Sequence, residues 1–255
     1  MVSRSPPRWP GLWQIRGMRF AIVSDIHGNR SALDAIVRDL RATAPDLVLH
    51  GGDLADGGGS PAEIVDRVRD LGWPGIAGNT DEMLSDPAVF DAFAAQLPKL
   101  QPLWSTIAEM AEFARQSLGS ERLAWLRSLP RRHDGEGISL VHASPESLWR
   151  APAHNAPDAE FDVYRELGKP IVVYGHVHRP FVRQLDGLTV ANSGSAGLPY
   201  DGDTRASYLL IDDGIPAIRR VEYDVAAECD SLAASGLPHA RWAARLLQSA
   251  AFQMP

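Results

Sequence analysis

The chain has 255 residues, 45% of them hydrophobic and 22% charged, a composition that excludes disordered and fibrous classes and leaves ample length to bury a core. Its formal net charge of -7 opposes a broad basic surface for extended nucleic acid or an anionic membrane, though not a local positive site made by metal ions. The single cysteine, Cys229, has no partner for an internal disulfide or a Cys-rich metal site, so a reducing, cytoplasmic setting is expected.

Residues 1–17, MVSRSPPRWPGLWQIRG, read as a flexible N-terminal extension without the apolar run of a signal peptide. No stretch approaches the ~20 apolar residues of a membrane span, so neither export nor insertion is expected. Residues 18–255 read as one domain. From Arg19 short apolar runs alternate with amphipathic stretches, the pattern of an α/β fold. RFAIVS is a buried strand, and Leu33, Ile36, Val37 and Leu40 put a helix after it. DLVLH (46–50) is the next strand, Pro61 to Asp70 a helix, and PGIAG (74–78) a third strand.

Residues 82–130 lack β-branched runs but carry helical patterns such as ERLAWLRSL, and read as a helical insertion. Strand character returns in GISLVH (137–142) and PIVVYG (170–175), with a helix expected over 158–167. FVRQL, LTVAN, ASYLLID and AIRRVEY follow, separated by Gly, Asp and Pro turns, and read as an antiparallel second half. A helical tail from about 225 contains RWAARLLQ.

Chemistry-bearing residues recur where these strands end. SDIHGN supplies Asp25 and His27, GGD supplies Asp53, GNTD supplies Asn79 and Asp81, VHA supplies His142, and GHVH supplies His176 and His178. Residues i and i+2 of extended chain share a side, so Asp25 and His27 can reach one ion. In open α/β sheets ligands bind outside the carboxyl ends of strands, so five consecutive strand ends converge. Imidazole, carboxylate and amide donors without thiolate suit Mn, Fe or Zn rather than a structural Cys-rich zinc site.

As an ordered set, D-x-H, G-D, G-N, a lone His and G-H-x-H, these motifs resemble the calcineurin-like metallophosphoesterase superfamily. The match runs through nearly all of residues 19–212, and NSGS with GLPYDGDTRASYLLID is similar to the C-terminal signature of its small bacterial branch. The resemblance implies a four-layer α/β/β/α sandwich of two mixed sheets flanked by helices. It implies two divalent ions, manganese first among the candidates and Fe, Zn, Ni or Mg the others. Asp25, His27, Asp53 and His178 would hold the first ion; Asp53, Asn79, His142 and His176 would hold the second. The implied activity is hydrolysis of a phosphodiester or phosphomonoester by a hydroxide activated between the ions, roughly 3.5–4 Å apart. A small phosphorylated substrate or a nucleotide is the expected partner.

One position departs from the family. Many members carry a histidine beside the ligand Asn, where this chain has Thr80, and a threonine hydroxyl is no proton donor near neutral pH. Leaving groups that are already good anions are therefore expected to leave faster than alkoxides, and a rate insensitive to leaving-group acidity would count against this. His154, in WRAPAHNAP, either supplies the missing proton or is a solvated loop residue. Asp81 either orients a ligand histidine or caps the next helix. Arg179 reaches substrate or faces water; Asn192 and Ser193 lie near the metals or simply form a turn; His50 is packed rather than ligating; His133 and His239 are expected at the surface. Trp104, Trp125 and Trp149 read as packing residues of the insertion, which could roof the pocket. The competing functions are a metal-free interaction scaffold on the same fold, which a complete ligand set disfavours, and a nuclease, which the acidic charge disfavours.

Overall fold

The computed structural model describes residues 17–255. The expected N-terminal extension, apart from Gly17, lies outside the described residues. Two mixed sheets form the centre. The first has the order β2-β1-β8-β9, from Leu47–His50, Arg19–Val23, Ala206–Asp212 and Ile215–Val221. The second has the order β3-β4-β5-β7-β6, from Arg132–Gly135, Ile138–Val141, Ile171–Tyr174, Leu188–Asn192 and Phe181–Leu185.

The alternation of side chains along each strand sorts the core into layers. Phe20 and Ile22 of β1, with Leu209 and Ile211 of β8, pack against Leu140, Ile171 and Val173 of the second sheet. Ala21 and Val23 face the other way, onto α1 (Arg30–Thr43), α2 (Pro61–Asp70) and α5 (Gln101–Ser128). On the far side, Val172, Tyr174 and Val190 are covered by residues 158–167. Both sheets are thus covered on two faces, the four layers that the resemblance implied.

The helix expected over 158–167 is a 3-10 segment, Asp158–Leu167, whose buried Phe161, Tyr164 and Leu167 recur every third residue, the period of that helix. PGIAG is not a strand. His50 accepts from Ile76 and donates to Pro74, giving one bridge between His50 and Gly75, and β2 ends at His50, so no further partner residue exists. Conversely, β3 is a strand absent from the sequence reading, because RHDG has no β-branched residue; it is an edge strand, antiparallel to β4. The second half is not wholly antiparallel: β7 runs antiparallel to β6 but parallel to β5, and β8 returns to the first sheet antiparallel to β1.

The insertion is helical as expected, comprising α3 (Asn79–Ser85), α4 (Pro87–Ala94), a 3-10 turn and α5, which is interrupted at Gly119 with φ 66 and ψ 176. The tail forms α6 (Val225–Ala234) and α7 (Ala240–Ser249). Leu232, Trp242, Leu246 and Leu247 of these helices bury against Leu103 and Met110 of α5, in a separate cluster beside the site. Among the described residues no helix is long and apolar enough to cross a membrane.

Candidate metal centre

Two loops at the carboxyl ends of β1 and β2 are laced together by backbone hydrogen bonds. Asp25 donates to Gly52, His27 to Asp53 and Gly28 to Leu54, at 2.9–3.0 Å. The loops after β4 and β5 join through Gly175 N, which donates to His142 O at 3.0 Å, and Asn192 Nδ2 donates to Gly175 O at 2.6 Å. Asn192 therefore braces the loop that bears His176 and His178.

This lacing holds the backbone in an uncommon conformation. Among the described residues nine non-glycine residues have positive φ, and five of them are Asp25, His27, Asp53, His176 and His178, with φ between 50 and 66. Each left-handed residue costs on the order of 1 kcal/mol, and such strain collects at functional sites. The pairing of Asp25 with His27 is accordingly a product of a left-handed turn, not of extended chain as the spacing suggested. Two glycines leave room for the carboxylates. A Cβ on Gly78 would lie 2.0 Å from Asp53 Oδ1, and one on Gly175 would lie 2.4 Å from Asp25 Oδ2.

The seven residues converge in two groups. Ligand atoms of Asp25, His27, Asp53 and His178 all lie within 4.8 Å of one another, and all four residues are buried. Asn79 Oδ1 lies 2.9 Å from both His142 Nε2 and His176 Nδ1. Asp53 Oδ2 lies 3.7 Å from His27 Nε2 and 3.5 Å from His142 Nε2, so its carboxylate joins the groups.

Tautomers follow from the hydrogen bonds. His27 Nδ1 meets Asp56 O at 2.8 Å, His142 Nδ1 meets Gly51 O at 2.8 Å, and His178 Nδ1 meets Leu198 O at 2.6 Å. A carbonyl only accepts, so each Nδ1 carries a proton and each ring turns its Nε2 inward. His27 Nε2 and His178 Nε2 then oppose each other at 3.1 Å, and His142 Nε2 faces the Asn79 carbonyl oxygen. Lone pairs at such distances repel unless protons or cations lie among them, so the donor set fits divalent ions.

The electrostatics agree. Burial opposes ionisation of Asp53, yet His142 and His27 hold its carboxyl far below the usual range. Burial alone would lower His142, but Asp53 and Asp25 raise it to about 10, so its Nε2 holds a proton facing Asp53 and the cluster draws positive charge strongly. Burial, then His142, lowers His176 to about 4, which leaves its ring neutral and ready to ligate.

Asp81 does not touch a ligand histidine. Its Oδ2 accepts from Asp53 N at 2.8 Å and Gly78 N at 2.9 Å, and its Oδ1 accepts from Leu54 N at 3.1 Å. It both caps α3 and fixes the backbone under Asp53. Burial, then Asp53, pushes its carboxyl up to about 6. Thr80 N donates to Asp53 Oδ1 at 2.9 Å, and its buried hydroxyl has no hydrogen-bond partner. The structure does not bring His154 to the site. That residue is exposed and absent from the walls of the adjoining cavity, and its carbonyl accepts from Arg183. Its loop is tied to the second sheet instead of folding over the metals. Arg179 is half-buried and likewise absent from those walls. His239 is exposed and pairs with Glu109, His133 is half-buried, and His50 is buried against Trp125.

Beside the two groups opens a cavity of about 330 Å³, lined at one end by His27, Asn79, His176 and His178. Trp104 and Trp149 line it and are not merely packing residues, whereas Trp125 packs near Arg69. Tyr200 stacks on His178 with ring centroids 4.6 Å apart. Sequence reasoning passed over Tyr200, Phe90, Phe93, Trp242 and Phe252; for Phe90 and Phe93 the run of aromatics between residues 90 and 149 was the available signal.

Residues 18–213 match the model of the calcineurin-like phosphoesterase superfamily domain. The chain belongs to this superfamily. An uncharacterized protein of Methanocaldococcus jannaschii is 30% identical over 241 residues, 86% of this phosphoesterase chain and 93% of that protein. The crystal structure of a metallophosphoesterase from Sphaerobacter thermophilus superposes with a TM-score of 0.74 and 27% identity, covering 91% of this chain and 100% of the other. A hypothetical protein from Pyrococcus horikoshii shares the fold, with a TM-score of 0.77, 20% identity, and coverage of 90% and 97%.

Proposed function

We propose that the protein hydrolyses a small phosphoester with two divalent ions at the seven-residue cluster. Asp25, His27, Asp53 and His178 would hold one, and Asp53, Asn79, His142 and His176 the other, with Asp53 shared. The observation that carries this reading is the inward opposition of His27 Nε2 and His178 Nε2 at 3.1 Å, beside two buried carboxylates. When bound, such ions supply Lewis acidity toward phosphate and a nucleophile from water near neutral pH.

The chain's own residues set the conditions for that chemistry. Backbone carbonyls of Asp56, Gly51 and Leu198 keep a proton on Nδ1 of three histidines and so keep Nε2 turned into the cluster. Only Asp25 and Asp53 contribute negative charge to the ligand set, which leaves a doubly charged pair of ions partly unneutralised and attractive to phosphate. Thr80 places no imidazole beside Asn79, and His154 lies apart, so neither offers the leaving group a proton. This supports faster loss of aryloxide than of alkoxide.

The test starts from metal-free protein, to which Mn, Fe, Zn, Ni or Mg is added separately before assay on aryl mono- and diesters of graded leaving-group acidity. Turnover is expected to depend on metal and to fall by about 100-fold or more in Asp53→Asn. Equal activity of that variant, or no turnover with any metal, would sink the hydrolase reading and favour an interaction scaffold.

A further inference from the structure

The cavity next to the metal cluster has walls of one chemical kind. Beyond the ligand residues its polar side chains are Asp56, Thr80 and Tyr200, and each of these adjoins the cluster: Asp56 touches His27, Thr80 touches Asp53 and Tyr200 stacks on His178. The remainder is carbon. Phe93 and Trp149 lie with ring centroids 4.7 Å apart, and Phe90 and Trp104 meet edge to face at 6.0 Å. Trp242 and Leu246 of α7 close the opposite side, and Phe252 stands at 49% exposure against Tyr200.

The three indoles expose no polar handle. Trp104 Nε1 donates to Leu97 O at 3.0 Å, Trp149 Nε1 to Glu82 Oε2 at 2.8 Å, and Trp242 Nε1 to Gln253 O at 2.9 Å. Every indole N–H is therefore already used by the protein. Among the described residues no Lys or Arg lines the cavity, so a second phosphate or a carboxylate would find no partner in these walls. Asp56 Oδ1 and Thr80 Oγ1, buried and without partners, lie at the cluster end of the cavity; among the aromatic walls beyond them, sugar hydroxyls and the edges of a nucleobase would lose water without gaining hydrogen bonds, which costs roughly 1–3 kcal/mol per group.

We infer that the substrate is a singly phosphorylated, otherwise uncharged ester of an apolar alcohol, with the apolar portion seated among Phe90, Phe93, Trp104, Trp149 and Trp242. This rests on the phosphoesterase reading and adds the identity of the alcohol. The volume of about 330 Å³ admits a bicyclic aryl group or a branched alkyl chain. Hydrolysis forms a P–O bond from water, breaks the P–O bond to the alcohol, and passes water's proton to the departing oxygen, so an aryl alcohol answers both the walls and the lack of an imidazole donor. Trp242, Leu246 and Phe252 lie past residue 213, so this part of the cavity is built by residues outside the matched family domain.

The test compares kcat/KM of the manganese-loaded full chain for phenyl phosphate, 2-naphthyl phosphate and adenosine 5′-phosphate. In parallel, tryptophan fluorescence follows binding of 2-naphthylphosphonate and methylphosphonate, whose C–P bonds are not cleaved. The naphthyl ester is expected to exceed the phenyl ester by about tenfold and the nucleotide by more, and the naphthyl phosphonate to bind at least about tenfold tighter than the methyl compound. Phe93→Ala and Phe252→Ala, at sites exposed enough to tolerate the change, should each cut the naphthyl-to-phenyl ratio several-fold. Turnover of the nucleotide as fast as the naphthyl ester, or equal binding of the two phosphonates, overturns the apolar alcohol and leaves the hydrolase standing. Tight naphthyl phosphonate binding without turnover of any ester upholds the apolar cavity and overturns the hydrolase.

Discussion

Asp81 touches no proposed ligand side chain, yet its two oxygens take the N–H groups of Asp53, Leu54 and Gly78 and so fix the turn from which the shared carboxylate projects. An asparagine there keeps the shape but has one acceptor oxygen, and its amide would meet a backbone donor. Asp81→Asn should weaken metal binding by about 10- to 100-fold, read by calorimetric titration of metal into the metal-free protein. A lower melting point with unchanged metal affinity would reduce Asp81 to a helix cap. The sequence reading weighed a ligand histidine against a helix cap and did not include Asp53 N, because a G-N-T-D motif reports spacing along the chain, whereas that partner lies 28 residues away. The seven candidate ligands were legible because each is a distinctive residue type at a recurrent place. Their left-handed φ values were not, since Asp and His adopt such a conformation only when a loop such as Gly51–Leu54 holds them.

At the scale of elements, His50 marks where β2 stops. It is fully buried with neither ring nitrogen hydrogen-bonded, and burial lowers it from 6.5 to about 4. Between those values the unfolded chain binds a proton that the folded chain does not, so stability is complete above about pH 6.5 and is lost as pH falls toward 4. The loss approaches about 3 kcal/mol. His50→Leu removes this slope: urea denaturation of the metal-free proteins at pH 7 and pH 4.5 should show wild type losing about 2–3 kcal/mol more than the variant. Parallel losses would place the acid sensitivity elsewhere. The same residue explains the misread strand after it. PGIAG has the apolar look of a strand, but pairing needs a partner, and the chain turns at Gly51 toward Asp53. β3 shows the converse, since RHDG has no intrinsic strand character and is a strand because it hairpins onto buried β4.

Across the whole molecule, the ligands and the cavity come from different parts of the chain. All seven candidate ligands lie before residue 213, six on loops that leave the two sheets and Asn79 at the first position of α3, whereas the cavity is closed by the rest of the insertion and by α7. The sheets were legible because β-branched runs alternate with helices. The cavity was not, because an aromatic residue on a helix reads identically whether it faces a neighbour or an empty space. Trp242 tests the division. It is 7% exposed, packs with Leu246 and Met110, and lines the cavity. Trp242→Ala should cost about 3–5 kcal/mol and lower Tm by on the order of 10 °C in scanning calorimetry. The number of ions retained after dialysis, measured by elemental analysis below the new Tm, should match wild type, because the loops holding them are laced to one another and not to α7. Loss of bound metal together with Tm would show instead that the tail helices hold the ligand loops in place, and that the ligands and the cavity wall form one cooperative unit.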